Sequence, residues 1–284
     1  MAAGGLRGRR RLGACLQVRE NWNRSEGEIG MHTKKLWLGL GVAILAAPTA
    51  MTAQRQPVLV ELFTSEGCSS CPPADALLEK LDREQPVASA QIIVLSEHVD
   101  YWNHEGWTDP FSSAAFTARQ ETYTRRFGLD GPYTPEMVVD GSAECNGSDA
   151  RKAESAIQRA IGEPKVGIRM RAAASGEAAV TLEVDALPEG TIHKANIYVA
   201  HAADRGTSEV LGGENRGRKL DYISIVRDIQ QVGSISGNAM FTKQLPIRAA
   251  KSPAGSRLIA FVQEAGNGRV WGAAMFAIPQ GGKP

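Results

Sequence analysis

Cys68-Ser69-Ser70-Cys71, preceded by Gly67 and followed by Pro72-Pro73, is the part of this sequence best suited to chemistry. Two cysteines three residues apart can close a small disulfide ring. Where a helix begins at the second, the positive end of its dipole stabilises the thiolate of the first. Cys68 would then attack a partner's disulfide and Cys71 would resolve the mixed disulfide, which is thiol–disulfide exchange. The competing readings are an inert structural disulfide and half of a zinc site. Zinc would require a second pair at metal spacing, and the sequence has none.

Two other segments could join such a site. His98-Val99-Asp100-Tyr101-Trp102 follows an apolar run. His98 is placed to act as acid or base toward Cys71, or as a third copper ligand beside Cys68 and Cys71. It has a plainer role open to it: His98 and Asp100 capping a strand end while Tyr101 and Trp102 cover the core. Thr134-Pro135 stands just before another apolar run, where an X-Pro bond can be cis and its backbone can pair with an extended peptide. His104 and Glu105 read as solvated loop residues, and Cys145 as a buried apolar residue. Asn146-Gly147-Ser148 is a short sequon match of little weight, and Gly212 to Leu220 reads as a polar loop rather than a phosphate cradle.

The elements that position these residues follow from periodicity. Pro57 to Phe63 is a short β-branched run, Leu77, Leu78 and Leu81 recur at helical spacing, and Pro fits the first turn of a helix, so a helix starts close to Cys71. Gln91 to His98 reads as a parallel strand covered on both faces, so the cysteine loop and His98 fall at neighbouring carboxyl ends of a sheet. Asp109-Pro110 resembles a cap and first turn of a helix running to about Phe127-Gly128. Then come the strand Glu136 to Val139, the turn Asp140-Gly141, a partner strand near Ala143 to Cys145, and a helix from Ala150 to Ile161 capped by Ser148. After Glu163-Pro164 the pattern changes to short strands: Val166 to Met170, Ala179 to Val184, Ala195 to His201, Ala239 to Leu245, Arg257 to Glu264 and Val270 to Phe276. Asp221 to Ile229 fits a strand or a short helix. The expected fold is therefore an α/β domain over 56–163 followed by a β-sandwich-like domain over 164–279.

Met31 to Lys35 is basic, Leu36 to Ala47 is apolar, and Pro48 to Ala53 is rich in small residues, which is the order of a secretory signal peptide over 31–53. Residues 1–30 then read as a leader, mis-assigned or disordered, with translation starting at Met31. Removing 53 residues takes eight of the 32 basic and three of the 31 acidic residues, leaving a chain of net charge −4. Such a chain has no electrostatic claim on nucleic acid, and it retains no integral membrane segment. With 43% hydrophobic residues it is not a disordered chain, and three remaining cysteines are too few for a disulfide-stapled fold.

Glu61 to Asp75, His98 to Trp102, Tyr133 to Val139 and Gly213-Glu214-Asn215-Arg216-Gly217-Arg218 together resemble the exported bacterial domain-of-unknown-function 1223 family, within the thioredoxin-like superfamily. The resemblance implies a thioredoxin-like domain followed by a β-rich domain. It places the redox pair on Cys68 and Cys71 and the cis-proline on Pro135 after Thr134. Ser69-Ser70 between the cysteines and Pro72-Pro73 after them depart from the thioredoxin pattern. The expectation is a periplasmic or secreted thiol–disulfide oxidoreductase that acts on a protein or small thiol and needs no cofactor. The alternative is a non-catalytic binding module, copper-handling or a protein-interaction scaffold, with a structural disulfide.

Overall fold

The computed structural model describes residues 55–278 apart from 105, 174–178 and 248–254, so the leader, the signal-peptide segment and Glu105 lie outside the described residues. β1 (Gln56–Thr64) and β2 (Ala90–His98) run parallel in unbroken register, Gln56 opposite Ala90 and Thr64 opposite His98. Thr64 and His98 therefore end their strands at the same level, as two β-branched and apolar runs of equal length require when they share one sheet. Between them α1 (Pro72–Glu84) starts directly after Cys71, with proline at its first two positions. Proline suits those positions because their N–H groups have no partner within the helix.

α2 (Ala114–Phe127) begins later than Asp109-Pro110 suggested. Its cap is Ser113, whose side chain accepts from the Ala115 N–H at 3.2 Å, and it ends on Gly128 at φ 66°. Asp109 instead turns inward. β3 (Glu136–Val139) pairs antiparallel with β1 and with β4 (Ala143–Asn146), and Asp140 and Gly141 between them both have positive φ, 49° and 61°. Two positive φ angles are what a tight hairpin turn needs, and Asp-Gly supplies them at low cost. α3 (Ala150–Ala160) is capped by Asp149, which accepts from Lys152 N–H, rather than by Ser148.

The remaining strands are β5 (Ile168–Ala172), β6 (Ala179–Val184), β7 (Lys194–Glu209), β8 (Lys219–Ser236), β9 (Phe241–Pro246), β10 (Ser256–Gln263) and β11 (Val270–Ile278). They correct the expected fold class. The chain is mostly β with three helices among the described residues, and it is not a thioredoxin-like α/β domain followed by a sandwich. One mixed sheet runs in the order β11-β10-β7-β8-β2-β1-β3-β4, and β5-β6-β9 form a second, smaller sheet. The joint lies at β2, whose outer edge receives β8 in parallel, with Ser96 opposite Ile225 and the Ser224 hydroxyl donating to Val94 O at 2.6 Å. An edge as apolar as β2 is a pairing surface that a folded chain must cover, and β8 covers it. The segment Asp221 to Ile229, ambiguous by periodicity, is the part of β8 that does so.

Of the five buried clusters among the described residues, three hold the layers. Val60, Leu62, Leu78 and Ile157 pack under α1 and α3; Leu59, Leu95, Phe116 and Phe261 pack under α2; and Val180, Leu182, Leu258 and Trp271 join the two sheets. On the α2 face, β1 and β2 also bury two carboxylates, Glu61 and Glu97. Arg119 of α2 meets Glu61 at 2.5 Å and Glu97 at 3.7 Å.

Candidate functional site

β1 delivers Thr64-Ser65-Glu66-Gly67 to the sheet's carboxyl edge, and a tight turn follows: Cys68 N donates to Ser65 O and Cys71 N to Cys68 O, each at 3.2 Å. Cys68 and Cys71 are bonded to each other, with Cα atoms 5.5 Å apart, and both are fully buried. Ser69 and Ser70 between them are exposed. The Ser70 hydroxyl lies 3.4 Å from Cys68 Sγ and 3.5 Å from Thr134 O. Thr134-Pro135 is cis, and Trp102 Nε1 donates to Thr134 Oγ1 at 2.8 Å. The structure thus brings the cysteine pair and Thr134-Pro135 together, with Trp102 over them.

Gly147 supports this corner from beneath, where a side chain would sit 2.7 Å from Leu62 Cδ1, 3.0 Å from Pro135 Cβ and 3.1 Å from Ala74 Cβ. Gly147→Ala should therefore cost about 1–3 kcal/mol through overpacking. A urea midpoint unchanged from the parent would show that the corner can yield.

His98 is placed differently. It is fully buried, its Nδ1 lies 2.7 Å from Asp109 Oδ2, and its ring meets Phe111 and Tyr222 edge-on. Asp109 Oδ2 also accepts the Glu66 N–H at 2.9 Å and Asp109 Oδ1 the Phe111 N–H at 2.8 Å. Burial pushes the Asp109 carboxyl up, but His98 and these N–H groups outweigh it and hold it below the usual range. Burial likewise disfavours a charged His98, and Asp109 outweighs that and raises it. The two form a buried, hydrogen-bonded pair. Asp100, the other residue read as a strand cap, takes a hydrogen bond from the Thr117 hydroxyl at 2.6 Å.

Asp75 stands one helical turn after Cys71, since its N–H donates to Cys71 O at 3.1 Å, and so projects from the same face of α1. Burial pushes its carboxyl up to about 7, against the pull of His98. Asp75 Oδ1, Glu66 Oε1, Thr64 Oγ1, His98 Nε2 and the Tyr222 hydroxyl are buried and meet no hydrogen-bond partner among the described residues. Trp107 Nε1 fixes the other Glu66 oxygen at 2.7 Å. Among the described residues no group of three or more His, Cys, Asp or Glu side chains is arranged to hold a metal ion. The two sulfurs are spent on each other and His98 Nδ1 on Asp109.

Sequence reasoning missed a third layer. The loop read as a polar connection after Gly212 reaches back across the fold to the cysteine turn. Asn215, only 1% exposed, donates from its side-chain amide to Glu66 O at 2.9 Å and Cys68 O at 2.8 Å, while Glu214 Oε2 accepts the Ser69 N–H at 2.9 Å. The sequence signal for it is the run Gly213 to Arg218, part of the family pattern. Asp109 fits a helix cap by local sequence alone, and nothing near Glu66 or Asp75 in sequence marks them as buried carboxyls.

The sequence model of a family described as "Protein of unknown function (DUF1223)" matches residues 59–263. Among solved structures the chain is similar to protein AGR_C_4864 from Agrobacterium tumefaciens, at 30% identity over 78% of this chain and 95% of that one, with a TM-score of 0.62. It is similar in fold alone to HBP35 of Porphyromonas gingivalis, at 13% identity over 79% of this chain and 76% of that one, with a TM-score of 0.54. No curated protein matches the chain.

Proposed function

The chain belongs to the DUF1223 family, and we propose that it is a thiol–disulfide oxidoreductase working outside the cytoplasm. The observation that carries this reading is the Cys68–Cys71 disulfide at the first turn of α1, beside the Thr134-Pro135 segment. In the dithiol form the Cys68 thiolate attacks one sulfur of a partner's disulfide, and the partner's other sulfur leaves as a thiolate. Cys71, as thiolate, then attacks Cys68 Sγ, which closes the internal disulfide and releases the partner as a dithiol. The reverse sequence reduces the pair. A disulfide persists in an oxidising compartment, and the basic, apolar and small-residue order of 31–53 is that of an export signal. No helix among the described residues is long and apolar enough to cross a membrane.

One observation favours a second reading, in which the disulfide is structural and the protein a non-catalytic binding module: both cysteines are fully buried. The two part on the reduction potential of the pair, measured by equilibration with glutathione and thiol trapping. A value between about −120 and −270 mV supports exchange, and one well below about −300 mV overturns it. Cys68→Ser should abolish exchange while removing only about 2 kcal/mol of stability, because the ring it opens is so short. Loss of folding in that variant would favour the structural reading.

A further inference from the structure

The cysteine turn is held by a segment more than 140 residues away in sequence, and the groups involved are those that govern the sulfur chemistry. Pro72 and Pro73 remove two N–H donors from the helix start, and Cys71 N–H is spent on Cys68 O. Few backbone donors therefore remain to solvate a thiolate on Cys68. One of them, the Ser69 N–H, is taken by the Glu214 carboxylate at 2.9 Å. That carboxylate is itself held ionised below its usual range by the Ser69 hydroxyl and amide. It sets a negative charge on the backbone of Ser69, the residue that follows Cys68.

Asn215 completes the contact. Its amide bridges Glu66 O and Cys68 O, the two carbonyls flanking Gly67, and its Oδ1 accepts from Arg218 Nη1 at 2.9 Å. The loop that carries it is closed at its neck by Val210 N to Arg218 O at 3.0 Å and Gly217 N to Val210 O at 2.7 Å. Gly212 lies so close to Gly106 that a side chain there would come within 2.3 Å of the Gly106 carbonyl oxygen. Asn215 is thus delivered by a braced loop, buried, with both ends of its amide satisfied.

We propose that Glu214 and Asn215 are positioning residues for the cysteine pair: Asn215 fixes the turn that carries Cys68, Glu214 competes for the Ser69 N–H, and together they bias the pair toward the closed disulfide. This rests on the reading that the pair cycles between disulfide and dithiol. Dithiothreitol is the probe. Its two thiols supply two electrons and two protons, the Cys68–Cys71 bond breaks to give two thiols, and the reagent leaves as its cyclic disulfide.

Glu214→Gln keeps an acceptor for the Ser69 N–H and removes the charge from an exposed side chain, so folding is preserved. It should shift the equilibrium with dithiothreitol about threefold to tenfold toward the dithiol, about 15–30 mV in a two-electron couple. It should also lower the Cys68 thiol pKa, read from thiolate absorbance against pH. The difference from the parent should shrink at high salt, as an exposed charge effect must and a packing effect would not. Asn215→Ala should raise the rate of reduction about tenfold or more. An equilibrium constant and thiol pKa unchanged in Glu214→Gln would overturn the proposal, whether or not Asn215→Ala folds. These ratios are measurable even if the pair exchanges with no biological partner, so failure of the oxidoreductase reading and failure of this inference give different results.

Discussion

Replacing Arg119 by Met should cost the protein about 3–5 kcal/mol of stability. Arg119 is 9% exposed and its guanidinium contacts Glu61 at 2.5 Å, Tyr123 Oη at 3.2 Å, Gln263 Oε1 at 3.0 Å and Asn267 Oδ1 at 3.2 Å. It also stands over the faces of Tyr123 and Phe261. Glu61 and Glu97 are fully buried, so without Arg119 a carboxylate is left in the interior with no opposite charge. The network also ties α2 to β10 and the turn after it, so its loss loosens two parts of the large sheet at once. The check is urea unfolding: the midpoint should fall while the slope stays as in the parent. Adding Glu61→Gln should recover part of the loss by removing the stranded charge. A change below about 1 kcal/mol would mean that water or rearrangement satisfies Glu61 instead.

Stability should also fall as pH rises from about 4 to about 8. Burial raises five carboxyls here: Asp75 to about 7, Glu136 to about 7, Glu97, beside Glu61, well above its usual range, and Glu66 and Asp140 in the same direction. Each keeps its proton in the folded protein over a range where the unfolded chain has lost it. The stability they contribute is complete below about 4 and is lost as pH climbs through the folded values. His98 acts in the same direction, since its folded value is raised, so its contribution is present below about 6.5 and is lost above. Asp109, held low, acts oppositely, and its contribution disappears only in stronger acid. Asp75→Asn should match the parent near pH 4 and exceed it at pH 8 by on the order of 2–4 kcal/mol. Unfolding midpoints at the two pH values test this. A parent whose stability rises with pH, or an Asp75→Asn variant with the parent's full slope, would contradict it.

The same residues show how far the chain can be read before it is folded. Cys68-Ser69-Ser70-Cys71 before two prolines, the apolar runs of β1 and β2, and Asp140-Gly141 are local signals. They depend on helix-terminus geometry, strand period and the left-handed backbone that a tight turn demands, all of which act within a few residues. From them came the helix start after Cys71, the parallel strand ending at His98 and the hairpin after Val139. Glu61 and Glu97 were legible as strand positions but not as buried charges, because the partner that permits their burial, Arg119, lies on another element.

The long-range pairings followed other physics. Which strand covers the open edge of β2 depends on which distant segment can reach it and offer matching donors and acceptors, and β8 does so from some 130 residues away. Short alternating strands after Glu163 fit a separate sandwich equally well by period alone, and the expected fold class failed on that ambiguity. Asp109 meets the local rule for a helix cap and is drawn instead into a buried pair with His98, since a polar ring in the interior needs a hydrogen-bond partner more than a helix end needs a cap. Asn215 read as a loop residue because nothing near it in sequence marks the carbonyls of Glu66 and Cys68 as its partners. Local propensity names the elements and the cysteine chemistry, and the burial of polar groups against distant partners sets the sheet and the surroundings in which that chemistry takes place.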